Sequence, residues 1–261
     1  MSDTKLDEVM ISRAIVKTYT DILLDSLDLD VAVVGGGPAG LMAAYFLGMK
    51  GRKVALFDRK LSIGGGIWGG GIGFNVVVIQ EDGRQLTDQI GLESKEFAPG
   101  YFTVDSIQFV AALIRSAGKA GVKIFNLSTI EDVMVKDGRI CGVVLNHSAI
   151  EKLGLHVDPI SIRAKYVIEA TGHPMEILHK VQEKNDIALA TPTGKIMGES
   201  SMQANTAEES VPENTIEIVP GMYVVGMAAN AAMGAYRMGP IFGGMLLSGR
   251  KAALEIDKKL G

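Results

Sequence analysis

Gly35, Gly37 and Gly40 spell G-x-G-x-x-G inside VAVVGGGPAGLM. That spacing suits the capture of a pyrophosphate. The first glycine permits a tight turn, the second lets backbone approach the phosphates, and the third lets a helix pack closely on a strand. The N–H groups that open the helix add donors and positive potential. Asp58 stands 23 residues after Gly35, at the end of the next apolar run, where a carboxylate can accept hydrogen bonds from ribose hydroxyls. Arg59, beside it, either reaches the nucleotide or lies on the surface. The motif does not choose between FAD and NAD.

Other residues carry chemistry of a different kind. His156-Val157-Asp158-Pro159 sets an imidazole and a carboxylate two residues apart, on one face of an extended segment. His173 follows the glycine turn after YVIEAT, on the carboxyl edge where open α/β sheets place their ligands. One carboxylate with one or two imidazoles suits a divalent metal such as Fe(II), Mn(II) or Zn(II), with positions left open for substrate. The same residues on loops also serve as plain solvated groups. Arg237-Met238-Gly239-Pro240, amid Gly234, Gly243 and Gly244, presents a guanidinium fork suited to a carboxylate or phosphate, or else to a structural salt bridge. His147 and His179 have no such company, and Cys141 in RICGVVLN reads as a core thiol.

The elements that must position these groups follow from periodicity. Residues 5–28 read as an amphipathic helix, with Leu6, Val9, Met10, Ile15, Ile22, Leu23 and Leu27 at helical spacing. DVAVVGGG (30–37), a helix over 38–51 that opens on Pro38, and KVALFDRK (53–60) make a strand–helix–strand unit with a right-handed crossover. The glycine-dense stretch 64–73 cannot hold a stable helix and reads as a loop. Residues 105–121 read as a helix, 123–146 as strand and hairpin around Asp137-Gly138, 166–171 and 221–226 as buried strands, and 242–259 as a closing helix. The polar run 184–216 reads as a flexible loop without site residues.

Composition bounds the rest. The chain has 261 residues, 26 Lys+Arg against 30 Asp+Glu and a single cysteine. This excludes an overall basic nucleic-acid footprint, an intramolecular disulfide framework and an all-cysteine metal site. No apolar run reaches membrane-spanning length and no hydrophobic leader opens the chain, so a cytoplasmic protein without membrane contact is expected. Glycine makes up 32 residues, about 12% against about 7% in average proteins, and it is clustered where backbone must approach something. The expected architecture is α/β: a single Rossmann-like dinucleotide-binding catalytic domain over 1–261, with a parallel central sheet and an additional small β element.

Taken together, SRAI (12–15), GGGPAG, GGGIWGGG, LHVDP, ATGH and GMAANAAMGAYRMGPIFGGMLLSG resemble the thiamine thiazole synthase (Thi4-type) family, and within it the archaeal members. The resemblance runs over nearly the full length. It implies a sheet of the glutathione-reductase type and an NAD consumed as substrate: nicotinamide is lost, the freed ribose carbonyl condenses with glycine, and sulfur enters. The implied product is ADP-5-ethyl-4-methylthiazole-2-carboxylate, a thiamine precursor. Eukaryotic members draw the sulfur from a cysteine; the matching position here is His156, which implies repeated turnover on free sulfide. By the same carry-over Asp158 and His173 match Fe(II) ligands supplied by neighbouring protomers of a homo-oligomer, an octameric ring. Arg237 matches the grip on the glycine carboxylate. Ala39, Asp58, Arg59, Gly66, Ile130, His156, Val157 and Met227 match nucleotide-contacting positions. Pro174 departs from the family, where Asp usually follows the Gly-His. A small FAD-dependent oxidoreductase of the same fold is the alternative.

Overall fold

The structure is a computed structural model that describes residues 5–261; residues 1–4, part of the expected 1–261 span and of the leader reading, lie outside the described residues. Helix α1 (Glu8–Asp25) starts where Asp7 accepts a hydrogen bond from the Met10 N–H at 2.6 Å. It stops at Ser26, whose hydroxyl and N–H both bond back to the last turn. The expected helix over 5–28 is therefore shorter, and its last residue already opens strand β1 (Asp28–Val34). Leu6, Val9, Met10 and Ile15 are exposed, whereas Ile22, Leu23 and Leu27 pack against the core.

After β1 come α2 (Pro38–Met49), β2 (Val54–Phe57) and a 3-10 turn at Gly65–Gly69 inside the expected glycine loop. A region without clear periodicity then forms β3 (Val76–Ile79), α3 (Glu81–Gln89), β4 (Lys95–Ala98) and β5 (Tyr101–Asp105); the three strands make a small antiparallel sheet, the additional β element. Next follow α4 (Ser106–Lys119), β6 (Lys123–Phe125), β7 (Ser128–Lys136) and β8 (Arg139–His147). Strands β7 and β8 join at Asp137-Gly138, both in the left-handed region, as a two-residue hairpin demands.

The remaining elements are α5 (Ser148–Leu153), β9 (Ile160–Glu169), α6 (Glu176–Lys184), β10 (Ser200–Met202), α7 (Ala204–Asn214), β11 (Glu217–Val219), β12 (Met222–Val224), α8 (Met227–Met233), β13 (Tyr236–Arg237) and α9 (Gly243–Leu260). The run 184–216 is thus not a loop throughout. Helix α7 buries Ala207 and Val211 against α9, and its few apolar positions with Pro212 in its last turn hid that pattern in the sequence.

The main sheet runs β11-β12-β9-β1-β2-β6, with β8 on the first half of β9 and β7 on β8. The pairings β12–β9, β9–β1, β1–β2 and β2–β6 are all parallel, so this is a mainly parallel α/β sheet of the dinucleotide-binding kind. Successive residues of β1 enter different cores. Val31 and Val33 join Leu41, Leu47, Leu113 and Leu246 from α2, α4 and α9; Ala32 and Val34 join Phe125, Leu178 and Val181 on the other face. Strands buried on both faces read as unbroken apolar runs for this reason. The parallel strands end together at Val34, Phe57, Phe125, Glu169 and Val224, and the functional groups gather beyond that edge. Among the described residues no helix is long and apolar enough to cross a membrane.

Candidate functional site

A cavity of about 610 Å³ opens at the carboxyl edge of the parallel strands. That is within the ~300–1,000 Å³ of small-molecule sites. It is lined by Gly35, Gly37, Ala39, Asp58, Arg59, Gly66, Ile130, His173, Met227 and Arg237 among others. Residues spread over two hundred positions of sequence meet here because each follows a strand that ends at this edge, or a loop folded over it.

One end of the cavity is made of backbone. Gly35 has φ +106°, and a Cβ there would overlap the carbonyl of Ala170 on the neighbouring strand's exit, so both the turn and the close approach require glycine. Gly40 faces the Gly35 carbonyl and the Ala170 side chain; it is not in the lining but lets α2 sit against the strand ends. A Cβ on Gly37 would meet nothing within 4 Å, and that open space lies at the uncapped start of α2. With no side chain capping the helix, N–H donors of its first turn stay available to an anion.

Asp58 is buried and held on both oxygens. Oδ2 accepts from the Gly36 N–H at 2.8 Å and Oδ1 from the Lys60 N–H at 2.8 Å. The two bonds aim the carboxylate while leaving lone pairs for ribose hydroxyls. Gly36, which the motif counts as variable, is constrained as well: a Cβ would come within 2.9 Å of Asp58 Oδ2 and 2.5 Å of the Ile63 side chain. Arg59 lines the cavity and pairs with Glu176 at 2.9 Å. Burial pushes the Glu176 carboxyl above its ordinary range, and the Arg59 charge works against that rise.

The exit of β9 is organised by a residue the sequence did not single out. Glu169 is fully buried; it accepts from the Thr171 N–H at 2.7 Å, and from the N–H groups of Ile177 (2.7 Å) and Leu178 (3.0 Å) at the start of α6. Burial raises its pKa, and those hydrogen bonds pull it part of the way back. Thr171 Oγ1 accepts from the Glu176 N–H at 2.8 Å, which closes the same turn. The turn carries Gly172, His173 and Pro174 into the cavity wall.

The other end of the cavity is made of side chains. His173 Nδ1 is hydrogen-bonded to Glu199 Oε1, and Arg237 Nε lies 3.8 Å from Glu199 Oε2. Arg237 sits on β13, which pairs in parallel with β10 immediately after Glu199. Asn230 pins that strand from below: it is buried, and its Nδ2 donates to the Tyr236 carbonyl at 3.2 Å while its own carbonyl accepts from the Ala235 N–H at 2.9 Å. Glu199 falls in the run read as a flexible loop without site residues; the structure places it immediately before β10, in contact with His173 and Arg237. Its only sequence signal was an acidic residue after a glycine in a polar stretch.

His156, Val157 and Asp158 do not line the cavity. They sit on an exposed, irregular segment between α5 and β9, tied down where Asn146 Nδ2 donates to the Val157 carbonyl at 3.0 Å. The segment precedes β9, which begins pairing only at Ile160. Among the described residues no three His, Cys, Asp or Glu side chains cluster as a metal site. His147, His179 and Cys141 also lie outside the lining.

A model of the Thi4 family matches residues 12–242. The chain is 54% identical over 256 residues to the thiamine thiazole synthase of Methanothermobacter thermautotrophicus, covering 98% of this chain and 99% of that protein. It is 51% identical to the thiamine thiazole synthase of Pyrococcus furiosus, again over 98% and 99% of the two chains. The crystal structure of Thermovibrio ammonificans THI4 superposes with a TM-score of 0.97 at 47% identity, covering 98% of this chain and 99% of that one.

Proposed function

The chain belongs to the Thi4 family, and from that premise we propose that it is a thiamine thiazole synthase converting NAD, glycine and free sulfide into ADP-5-ethyl-4-methylthiazole-2-carboxylate with release of nicotinamide. The observation that carries the reading is the single cavity joining a pyrophosphate turn and a ribose-facing carboxylate to an imidazole and a guanidinium. The backbone end fits the ADP half of NAD, with phosphates at Gly37 and the start of α2 and ribose at Asp58. The side-chain end faces the reacting sugar. There Arg237 holds the glycine carboxylate by its guanidinium fork, and His173 presents its ring beside it.

The donor chemistry suits Fe(II), since imidazole nitrogen and carboxylate oxygen are ligands it accepts. One chain by itself does not complete that set among the described residues, because Asp158 is not among the groups lining the cavity that holds His173. The proposed arrangement is therefore a homo-oligomer, an octamer, in which His173 of one copy and Asp158 of a second hold the metal. Exposed Leu153, Leu155, Val157 and Ile160 around Asp158, and Val9, Met10, Ile15 and Val16 on α1, supply apolar surface for such contacts. Fe(II) bound there would serve as template and Lewis acid.

His156 stands where eukaryotic relatives carry the sulfur-donating cysteine. An imidazole has no sulfur to give, and Cys141 lies on β8, away from the cavity. Sulfide must then come from solution, and the enzyme turns over repeatedly. Anaerobic incubation with NAD, glycine, Fe(II) and isotope-labelled sulfide tests this. The expected result is nicotinamide release and an adenylated thiazole carrying the label, in excess over enzyme. A thiazole without the label overturns the sulfide reading, and absence of both products overturns the synthase reading. Purified protein that is yellow with releasable flavin would favour an oxidoreductase instead.

A further inference from the structure

We propose that Glu199 is a positioning residue whose single carboxylate sets the tautomer of His173 with one oxygen and aims Arg237 with the other. What those two residues then hold rests on the function proposed above; the tautomer does not.

The chemistry starts from the acceptor. An ionised carboxylate has no proton to donate, so the His173 nitrogen that meets it must carry one. That nitrogen is Nδ1, bonded to Glu199 Oε1. In the neutral ring the proton is then absent from Nε2, and its lone pair is left for a ligand. Imidazoles that bind metals are commonly held in this way by a carboxylate on the opposite nitrogen. His147 in the same chain shows the opposite case: its Nδ1 accepts from the Ala149 N–H at 3.2 Å, so its neutral ring must carry the proton on Nε2. The structure thus assigns opposite tautomers to two histidines of one protein.

The second oxygen does the other half of the work. Glu199 Oε2 approaches Arg237 on the Nε edge, and Nη1 and Nη2 have no acceptor among the described residues. The terminal edge of the guanidinium stays free for a bidentate partner. An exposed ion pair of this kind contributes little to stability. Three observations argue that this one does more. Glu199 is better buried than either group it touches, with 18% side-chain exposure against 48% for His173 and 51% for Arg237. Its backbone is pinned on both sides, by Gly198 N–H to the Ala231 carbonyl and Ser200 N–H to the Ala235 carbonyl, both at 3.0 Å. Both of its partners line the cavity.

Magic-angle-spinning ¹⁵N NMR of histidine-labelled protein tests this, on the full oligomer, metal-free under chelator and at a pH where the rings are neutral. His173→Gln identifies the signal. The expected wild-type result is a protonated Nδ1 and bare Nε2 at His173, with the reverse at His147. Glu199→Gln should keep the His173 tautomer, because the amide oxygen still accepts, whereas Glu199→Ala should lose it. A wild-type His173 protonated on Nε2, or a tautomer unmoved in Glu199→Ala, overturns the proposal. Direct Fe(II) titration follows: Glu199→Ala should bind about 10- to 100-fold more weakly, with Glu199→Gln between it and wild type. If the tautomers are as assigned but wild-type protein binds no Fe(II) and forms no thiazole, the proposed function fails while the role of Glu199 in orienting His173 stands.

Discussion

The two ends of the cavity are built by opposite means. At the proposed nucleotide end the groups are backbone amides and one buried carboxylate, all within Gly35–Lys60, and the carboxylate is locked by hydrogen bonds of the βαβ unit itself. At the proposed reacting end they are side chains from three segments, on the β9 exit, before β10 and on β13, held by one another, with Glu199 better buried than His173 or Arg237. A site made of backbone comes with the fold and is hard to alter without harming it. A site made of side chains is adjustable. Stability and chemistry should therefore separate when the two ends are mutated.

The largest expected effect is at the nucleotide end. Gly35→Ala combines a disfavoured φ with overlap on the Ala170 carbonyl, so unfolding free energy should fall by about 3 kcal/mol and NAD binding should be lost. Chemical denaturation and calorimetric titration read both. A variant of normal stability that still binds NAD would break the claim that this end is inseparable from the fold. At the other end, His173→Gln should leave stability within about 0.5 kcal/mol and NAD affinity within a few-fold, while turnover drops about 100-fold or more. Loss of stability comparable to Gly35→Ala would erase the distinction.

Asp58→Asn falls between. The amide must turn an NH2 toward either the Gly36 or the Lys60 N–H, leaving a donor facing a donor, at a cost of about 1–3 kcal/mol. NAD affinity should fall with stability, and denaturation run with and without NAD would show whether the two losses move together. A variant that loses affinity alone would show that Asp58 serves ligand rather than scaffold.

The smallest effect concerns Glu208 on α7, outside the cavity lining. It is buried, it accepts hydrogen bonds from Gln80 Nε2 (3.0 Å) and from the Gly244 N–H opening α9, and its Oε1 has no partner. Burial raises its pKa, so the folded state holds the proton more tightly than the unfolded chain. Its contribution to stability is therefore greatest at low pH and is lost as pH rises from about 4.5 through the folded-state value. Glu208→Gln does not titrate. Relative to wild type it should gain stability between pH 5 and pH 8, because Glu169, also raised, is common to both proteins. Denaturation curves at the two pH values measure this, and a gain of opposite sign would place the raised carboxyl elsewhere.

What was legible in sequence divides along the same line as the cavity. The glycine turn, Asp58 and the strands over 30–37 and 53–60 could be read because motif and periodicity are both local there. That Gly40 permits close packing of helix on strand followed from spacing; its approach to the Gly35 carbonyl came from the structure. Glu199 and Glu169 could not be found that way. Glu169 looks like the end of an apolar strand, and its task is defined by N–H groups eight and nine residues later. Glu199 matters because β10 lies beside β13, a pairing between two- and three-residue strands that no sequence window reports. Helix α7 escaped for a related reason: its buried face is narrow and answers to α9, not to its own periodicity.

The amino-acid order determined the parallel α/β framework and the glycine turn, since apolar runs, glycines and the proline at the start of α2 act over a few residues through sterics and backbone hydrogen bonding. Only the tertiary structure decided which imidazole, guanidinium and carboxylate share a wall, and that His156 and Asp158 stand apart from them. Side-chain contacts between distant segments depend on where the strands end and how their loops fold back, and that geometry exists only once the sheet has formed.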